Sequence, residues 1–330
     1  MQRWTIDSRD HGWNTDRQAG QMSRALLSGE LVAIPTETVY GLAADATNPQ
    51  ACARIFEVKG RPQFNPLISH VDCLETAERH GVFDATARKL AQAFWPGPLT
   101  IVVPRKPGSP VCDLVTAGLD TLALRVPAGP VMRFMAQETG RPIAAPSANK
   151  SGKISPTRAQ DVADDLGGDL RFLIDAGPCP VGVESTIVSV VDGSVRLLRA
   201  GGVERAALQK VLADLPLSSG PASNDTNPQA PGMLTSHYAP AAKLVLNADH
   251  IEPGDALLAF GATLPANASA ARLCLNLSET GDLREAAANL FSHLRRLDAT
   301  GASTIRAQSV PNSGLGEAIN DRLRRAAAPR

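Results

Sequence analysis

The sequence has no excess of either charge and no long hydrophobic run. Its 330 residues include 33 lysines and arginines against 33 aspartates and glutamates, so the formal net charge is zero. A neutral chain lacks the basic field of a protein that holds nucleic acid or an anionic membrane by bulk charge. The longest apolar runs, such as 31–35 and 256–260, are far shorter than the roughly 20 residues that a membrane helix requires. We therefore expect neither a membrane-spanning protein nor tight binding of nucleic acid.

Cysteine and histidine are too scattered to form a disulfide framework or a metal site. The five cysteines are an odd number without a CxxC pair, and the six histidines contain no HExxH motif. Residues 1–13 carry charged side chains and lack the apolar core of a signal peptide. These absences predict a cytoplasmic protein without a metal held by its own side chains.

Length and pattern together predict two α/β domains. At about 100 to 200 residues per domain, a chain of 330 residues suggests two units. Short apolar segments alternate with amphipathic ones in both halves, which is typical of α/β folds. Over residues 216–242, Ser, Pro, Asn, Gly and Ala dominate and no apolar period survives. We interpret residues 1–215 as the first domain, 216–242 as a linker, and 243–330 as a smaller second domain.

Local signals predict where several elements begin and end. Asn14 or Thr15 is expected to cap the first helix, and a second helix is expected over 49–58 before Gly60. The dipeptide Asp192-Gly193 lies between two apolar runs and is a strong hairpin signal. A hairpin among strands that otherwise alternate with helices indicates a mixed sheet.

Polar clusters follow several strand-like segments, which is where open α/β sheets bind ligands. Residues 35–42 carry two threonines, a glutamate and a tyrosine after a proline, although a simple capped turn would look the same. Residues 59–66 place Lys59 and Arg61 one residue apart on a Gly/Pro loop. Two such cations can point at one polyanion, while a solvated charge pair is the commoner case. Neither a Walker A loop nor a GxGxxG motif is present.

Two further clusters add an arginine and a string of small polar residues. Arg125 ends an apolar strand, where its charge is costly unless an anion or an internal carboxylate meets it. Residues 144–152 are rich in small hydroxyl and amide side chains, which suits a nucleotide pocket or an ordinary loop capped by Thr157. Residues 182–186 and Arg199 lie at further strand boundaries. No GxSxG motif is present. The residues alone thus describe a cation-containing site for a small anionic ligand and do not name a reaction.

Six ordered segments together resemble the threonylcarbamoyl-AMP synthase family in its long, two-domain form. They are PTETVYGLAADA (35–46), KGRPQFNPLISH (59–70), FWPGPLTIVV (94–103), LALRVP (122–127), APSANKSG (145–152) and VESTIV (183–188). Beyond them, SHYAP (236–240) is similar to the short signature that precedes the appended domain of the long form. The resemblance covers about residues 18–205 and assigns no role to residues 1–13. It implies a YrdC-like twisted, mixed open sheet flanked by helices, followed by a smaller Rossmann-like α/β domain.

The resemblance implies a specific reaction. L-threonine, bicarbonate or CO2, and ATP would yield L-threonylcarbamoyladenylate and pyrophosphate. The product would supply the threonylcarbamoyl group for a modified adenosine of tRNA, and a separate transferase complex would perform that transfer. Carried over residue by residue, the threonine site would comprise Thr38, His70, Arg125, Ala145 and Ser185. The ATP site would comprise Lys59, Arg61, Asn65, Thr121, Ser147, Asn149, Ser155, Arg199 and Tyr238.

This chemistry joins two anions, so the site must cancel repulsion and align the reactants. On this interpretation Lys59 and Arg61 neutralise phosphate oxygens, and Arg125 holds the threonine carboxylate through two hydrogen bonds. No protein nucleophile is required. Mg2+ would accompany ATP without a dedicated protein site. Tyr238, on the linker, would close over the nucleotide as a lid.

Two other functions remain open at this point. The first domain could bind RNA through Lys59, Arg61, Lys150 and Lys153, although the neutral net charge counts against it. The chain could also be a carbamoyl-adenylate enzyme of the hydrogenase-maturation type, whose related domain shares this fold. The acylphosphatase and zinc-finger segments that usually accompany that enzyme are missing from this sequence.

Overall fold

A computed structural model describes residues 1–10, 12–213, 215–219, 230 and 235–329 of the chain. The strands are β1 (Gln2–Thr5), β2 (Val32–Pro35), β3 (Tyr40–Asp45), β4 (Ile68–His70), β5 (Leu99–Pro104), β6 (Thr121–Arg125), β7 (Ile143–Ala144), β8 (Phe172–Asp175), β9 (Thr186–Val191), β10 (Ser194–Arg199), β11 (Leu217–Ser219), β12 (Lys243–Val245), β13 (Ala256–Ala259), β14 (Cys274–Asn276) and β15 (Thr304–Ala307). The helices are α1 (Arg17–Leu27), α2 (Pro49–Lys59), α3 (Leu74–His80), α4 (Ala85–Phe94), α5 (Asp113–Thr116), α6 (Pro130–Thr139), α7 (Ala159–Leu166), α8 (Arg205–Leu212), α9 (Leu283–Asp298) and α10 (Gly316–Ala327).

One large mixed sheet organises the first domain. In the described residues its strand order is β1-β8-β2-β3-β7-β4-β6-β5-β9-β10-β11. The pairs β4–β6 and β5–β9 are parallel, whereas β2–β3, β5–β6 and β9–β10 are antiparallel. Asp192 and Gly193 turn the chain between β9 and β10 with φ of 51° and 70°. Both the hairpin and the mixed sheet are therefore confirmed.

Helices cover both faces of this sheet, so its central strands are buried on both sides. In β2, Val32 and Ile34 pack into a core with helices α1 and α6, while Ala33 faces the opposite, larger core. This alternation follows from the two-residue period of a strand. Strands buried on both faces leave only their ends and the following loops free to bind ligands.

Helix α2 has the capping pattern that its sequence predicts. The Asn48 side chain accepts hydrogen bonds from the backbone N–H groups of Gln50 and Ala51, Pro49 is the first helical residue, and Gly60 ends the helix in the left-handed region. The predicted cap of helix α1 is wrong by one or two residues. Its N-cap is Asp16, which accepts from Gln18 N, because Trp13–Thr15 forms a separate 3-10 turn.

Strand β3 was not expected from the sequence. The polar cluster 35–42 extends beyond the connection between two strands, because only 36–39 connect β2 to β3. Every residue of β3 is buried, but the strand is built from YGLAAD and has no β-branched residue to signal it. The tight β2–β3 turn holds its polar side chains close to the sheet.

The N-terminal residues form the edge strand β1, which pairs in parallel with β8. Trp4 is buried, and its ring lies 6.3 Å from that of Trp13, which in turn lies 5.1 Å from Phe134. Arg3 also forms an ion pair with Asp175 at 2.7 Å. The segment that had no assigned role thus forms the outermost strand on this side of the large sheet.

The second domain is a four-stranded parallel sheet in the order β12-β15-β13-β14 within the described residues. Helices α9 and α10 pack on it around a core that includes Leu258, Phe291 and Ile319. The smaller α/β domain expected from the sequence is confirmed. Val183 and Tyr238 belong to the same core, so the first domain and the linker both contribute to it.

The described residues cover only part of the predicted boundary between the domains. Strand β11 pairs with β10 and extends the large sheet to Ser219, four residues beyond the predicted end of the first domain. Most of the predicted linker lies outside the described residues, apart from 216–219, 230 and 235–242. The predicted division into residues 1–215, 216–242 and 243–330 therefore stays a prediction. No helix in the described part of the chain is both long and apolar enough to cross a membrane.

Candidate active site

The loops at the strand ends enclose one cavity of about 50 Å³. Its wall comprises Thr36, Thr38, Val39, Gly41, Arg61, Ile68, His70, Arg125, Ala145, Pro146, Ser147, Glu184, Ser185, Arg199, His237 and Tyr238. All five residues predicted for threonine are in this wall, together with four of those predicted for ATP. A cavity of this size is well below the roughly 300–1,000 Å³ of ordinary ligand pockets. The cavity is partly open, so a ligand larger than this volume would extend beyond it.

The register of the sheet brings distant segments of the sequence to this cavity. His70 and Arg125 are direct partners in the parallel pair β4–β6. Strand β7 pairs antiparallel with β4 on its other side, and Ala145, the residue after β7, donates its backbone N–H to the Ile68 carbonyl at 3.0 Å. Thr186 opens β9 opposite the start of β5, so that Ser185 reaches the same end of the sheet.

Arg125 is the centre of a buried polar group. Its Nη1 donates to Thr38 Oγ1 at 3.0 Å, its Nε donates to the Gly97 carbonyl at 3.3 Å, and its Nη2 lies 2.7 Å from Glu37 Oε1. Burial alone would raise the pKa of Glu37, but Arg125 and backbone N–H groups hold it below its usual value. The internal ion pair weighed as an alternative for Arg125 is present, and the guanidinium also faces the cavity.

The contact between Arg125 and Glu37 is short but poorly aligned for a hydrogen bond. The atoms Nη2 and Oε1 are an ion pair by distance, yet neither has a hydrogen-bond partner among the described residues. A donor in this state can turn to an incoming carboxylate. Since Nε already serves Gly97, the bidentate grip predicted for Arg125 would have to use its terminal nitrogens.

His70 is a neutral side chain of the cavity wall. Burial lowers its pKa to about 3, and the nearby charge of Arg125 contributes to the shift. Its Nδ1 lies 3.3 Å from the carbonyl oxygen of Ile143, which assigns the proton to Nδ1. Nε2 is then a hydrogen-bond acceptor, suited to a hydroxyl or ammonium group of a substrate.

The buried histidines predict a loss of stability in mild acid. His70 has a pKa of about 3 in the fold against an ordinary value of 6.5, and burial places the pKa of His237 well below 6.5. Below pH 6.5 the unfolded chain binds protons that the folded chain does not, so the free energy of unfolding falls with pH. Each such histidine contributes a slope of up to about 1.4 kcal/mol per pH unit. Urea unfolding followed by circular dichroism between pH 5 and 7.5 measures this slope.

The matched variants for this measurement are His70→Asn and His250→Asn. His250 is exposed, so its replacement should leave the slope between pH 5 and 6.5 unchanged. His70→Asn should flatten the profile over the same interval. Equal slopes in wild type and His70→Asn would contradict the assignment of a buried, neutral His70.

The loop 59–66 carries two cations with different positions: Arg61 is in the cavity wall, and Lys59 contacts the loop 145–152. Arg61 lines the cavity, donates to the carbonyls of Asn65 at 3.2 Å and Pro66 at 2.9 Å, and has its pKa lowered by burial to about 10. Lys59 is 2% exposed and donates from Nζ to the carbonyls of Ser147 and Asn149. Burial lowers the pKa of Lys59 well below its usual range, with a further lowering by Arg61. Lys59 thus clamps the loop 145–152, while Arg61 remains charged at neutral pH.

Arg199 and Ser185 form the opposite part of the wall. The Nη2 of Arg199 donates to the Ser185 carbonyl at 2.9 Å and to its Oγ at 3.2 Å. Ser185 Oγ is also 2.7 Å from Thr100 Oγ1. Two arginines, Arg61 and Arg199, therefore line the same cavity as Arg125, as an anionic ligand requires.

His237 and Tyr238 cover the cavity from the linker side. Tyr238 is 1% exposed and has φ of 63°. Its ring stacks on Phe291 of helix α9 at 5.5 Å and meets His237 edge-on at 4.1 Å. The next residue, Ala239, donates from its backbone N–H to the carbonyl of Gly152 at 2.8 Å. The segment is thus docked on both domains.

Five residues predicted for ATP are not in the wall. Lys59 and Asn149 lie in the clamp described above, and Asn65 supplies only its carbonyl to Arg61. Ser155 lies behind Glu184 and donates to its Oε1 at 2.6 Å. Thr121 opens β6 at the far end from Arg125, roughly 13 Å away along an extended strand. Their roles toward ATP stay predictions.

Sequence reasoning named no role for three polar wall residues. Thr36 and Glu184 stood in clusters that were recognised as polar. So did Glu37, which contacts Arg125 but is not in the wall, and nothing in one sequence indicates which carboxylate will meet which arginine. His237 was visible only as part of SHYAP. In the described residues, no group of three or more His, Cys, Asp or Glu side chains could hold a metal ion.

The fold and the cavity together define a class of protein: a two-domain α/β enzyme with an arginine-lined site for small anionic substrates. Residues 24–201 match the Sua5/YciO/YrdC family model, described as "Telomere recombination". Residues 203–328 match the model "Threonylcarbamoyl-AMP synthase, C-terminal domain". The chain belongs to the threonylcarbamoyl-AMP synthase family, which confirms the resemblance seen in the sequence.

Relatives match the chain over nearly its whole length. It is 38% identical to the threonylcarbamoyl-AMP synthase of Bacillus subtilis over 99% of this chain and 98% of that protein. It is 40% identical to the enzyme of the same name from Pyrococcus abyssi, with 92% of each chain covered. The crystal structure of P. abyssi Sua5 complexed with L-threonine superposes with a TM-score of 0.89 at 37% identity, covering 99% of this chain and 98% of that one.

Proposed function

We propose that the chain forms L-threonylcarbamoyladenylate from L-threonine, bicarbonate and ATP, with release of pyrophosphate. The observation that carries this proposal is one cavity wall that holds Arg125, His70 and Thr38 beside Arg61 and Arg199. One part of this wall suits an amino acid and the other a polyphosphate. The threonine complex of the P. abyssi relative supports the first half.

The threonine half is explained by the group around Arg125. Its guanidinium would hold the substrate carboxylate, and neutral His70 would accept a hydrogen bond from the amino acid. A neutral imidazole at this position avoids repulsion of the substrate ammonium group. Thr38 and Ser185 would supply the remaining hydroxyl contacts, and Ala145 would pack against the substrate at the end of β7.

The nucleotide half is explained by the two other arginines of the wall. Arg61 and Arg199 would neutralise phosphate oxygens while a carbamate on the threonine nitrogen attacks the α-phosphorus and pyrophosphate leaves. The attack of the carbamate on the α-phosphorus and the departure of pyrophosphate need no protein nucleophile. Mg2+ would accompany ATP, held mainly by its phosphates and water. Tyr238 would shield the mixed anhydride from water when the linker segment closes.

The product and its setting complete the proposal. L-threonylcarbamoyladenylate would pass to a separate transferase complex that modifies tRNA in the cytoplasm. This chain itself would not bind tRNA tightly. Lys59 and Arg61, two of the four cations considered for RNA binding, are 2% and 8% exposed and face inward. Side chains so placed cannot reach an RNA backbone.

Pyrophosphate release tests the proposal directly. We expect release to require L-threonine, bicarbonate and ATP together, with a mass spectrum that shows the threonylcarbamoyl adenylate. L-serine and L-valine serve as matched amino acids that each lack one part of the threonine side chain. Equal release without threonine would reject the proposal. A product formed from carbamoyl phosphate instead of bicarbonate would favour the hydrogenase-maturation type of enzyme.

A further inference from the structure

One arginine of the second domain reaches the wall of the cavity. Arg322 lies on helix α10 and its side chain is 0% exposed. Its Nε donates to Glu184 Oε2 at 2.9 Å, and its Nη1 donates to the Ala200 carbonyl at 2.8 Å. Both acceptors belong to the first domain, and Glu184 lines the cavity. The second domain therefore contacts the candidate site through a buried charge.

Glu184 links Arg322 to Ser155, because each of its carboxylate oxygens contacts one of these two residues. Its other oxygen, Oε1, accepts a hydrogen bond from Ser155 Oγ at 2.6 Å. Burial alone would raise the pKa of Glu184, but Arg322 and Arg199 hold it below its usual value, so it remains a carboxylate. Each oxygen of this carboxylate thus has its own partner, which fixes the orientation of the side chain.

The same guanidinium faces the aromatic ring of the linker. Arg322 Cζ lies 5.4 Å from the centroid of Tyr238, within the roughly 6 Å of a cation–π contact. Phe291 of helix α9 stacks on that ring at 5.5 Å. Residues of two helices of the second domain therefore hold Tyr238 over the cavity.

The burial of Arg322 is poorly explained as a means of joining the domains. Among the described residues, the other ion pairs between the domains are Arg205–Glu317 and Arg295–Asp165, and both are partly exposed. Their side chains are 32% and 26% exposed in the first pair and 17% and 19% exposed in the second. A buried ion pair loses so much hydration energy that apolar residues of similar size often stabilise as well or better. The Nη2 of Arg322 also lacks a hydrogen-bond partner among the described residues, which adds to the cost.

We propose that Arg322 is a positioning residue for the nucleotide half of the site, and this inference rests on the proposed function. It holds Glu184, which also accepts a hydrogen bond from Ser155, and it packs against the Tyr238 ring. The second domain thereby positions wall groups that belong to the nucleotide half of the site. In the threonine half, Thr38, His70 and Arg125 form no hydrogen bond or ion pair with Arg322 or Glu184 among the described residues, although Ser185 follows Glu184 in the chain.

The test uses the full-length chain with Arg322→Met, Arg322→Lys, Glu184→Gln and the double variant Arg322→Met/Glu184→Gln. Arg324→Met is the matched control, because Arg324 is exposed on the same helix. Equilibrium dialysis measures ATP binding, and the threonine-induced shift in Tm measures the other half of the site. Circular dichroism establishes that each variant is folded, and steady-state pyrophosphate release gives KM for each substrate.

We expect Arg322→Met and Glu184→Gln each to weaken ATP binding at least tenfold while the threonine response stays within twofold of wild type. Arg322→Lys should recover part of the ATP affinity, and the double variant should lose little more than either single one. ATP binding within twofold of wild type in folded Arg322→Met would overturn the inference, as would equal losses for ATP and threonine. Should Arg322→Met not fold, unchanged ATP binding in both Arg322→Lys and Glu184→Gln overturns it. A wild-type chain that binds ATP but releases no pyrophosphate would reject the proposed function, while dialysis still decides the role of Arg322.

Discussion

An Arg125→Met chain is expected to be much less stable than wild type and to lose its response to L-threonine. The change leaves Glu37 buried without its cationic partner, while the Gly129 N–H still donates to its Oε2 at 3.2 Å. Removal of one partner of a buried ion pair costs about 3–5 kcal/mol. Urea unfolding measures this loss, and thermal melts with and without L-threonine measure ligand binding. Pyrophosphate release should fall below detection.

Glu37→Gln separates the structural role of the pair from its role toward the substrate. The amide keeps the shape of the carboxylate but leaves the Arg125 charge without a counterion, and L-threonine then supplies one. The threonine-induced shift in Tm should therefore be larger in Glu37→Gln than in wild type and absent in Arg125→Met. An equal or smaller shift in Glu37→Gln would contradict the proposed contact between Arg125 and the threonine carboxylate.

The surface pair Arg88–Glu78 is the matched control for this cost. Its nitrogen and oxygen lie 2.6 Å apart, closer than in the buried pair, but the two side chains are 52% and 33% exposed. An exposed ion pair contributes about 0–1 kcal/mol, so Arg88→Met should leave stability and threonine response almost unchanged. A large effect at Arg88 would show that the loss at Arg125 does not depend on burial.

Local sequence signals predicted helix ends and tight turns well, because a cap or a turn depends on the conformation of one or two residues. Asn48, Pro49 and Gly60 mark both ends of helix α2, and Asp192-Gly193 marks the β9–β10 turn. Strand β3 was not predicted, because most of its residues are small and carry no strand signal. Its burial on both faces also depends on residues far away in the sequence. Strand β1 escaped for a similar reason, since its partner β8 lies some 170 residues away.

The candidate site also has features that the sequence predicts and features that depend on contacts between distant residues. Its linear motifs were visible, because loops after strands concentrate polar residues in short segments. The contacts of individual side chains could not be predicted. The sequence does not indicate that Lys59 donates to backbone carbonyls or that Arg125 forms an ion pair with Glu37. Arg322 was missed entirely, because on helix α10 it stands among Arg324, Arg325 and Asp321 as one charge of many. Only the packing of α10 against the first domain distinguishes it.

Gly182→Ala is expected to separate the candidate site from the second domain. A Cβ on Gly182 would lie 2.3 Å from the carbonyl oxygen of Ala287 and 2.4 Å from Cα of Ala288, both backbone atoms of helix α9. Backbone cannot turn away as a flexible side chain can, so α9 must shift. Gly182 precedes Glu184 by two residues, and Phe291 on α9 stacks on Tyr238, so the shift acts on both sides of the cavity. Pyrophosphate release should fall by at least about tenfold, since misplacement by about 1 Å can cost around a hundredfold in rate.

Gly193→Ala isolates the part of this effect that comes from the backbone angle alone. Gly182 and Gly193 have similar φ, 75° and 70°, but a Cβ on Gly193 meets nothing within 4 Å. Both variants should lose roughly 1–2 kcal/mol of stability from the left-handed conformation, and Gly193→Ala should keep its rate of pyrophosphate release. Limited proteolysis, with cleavage between the domains as the readout, should be faster only in Gly182→Ala. Equal rates of release in the two variants would mean that the close contact of Gly182 with α9 does not position the site.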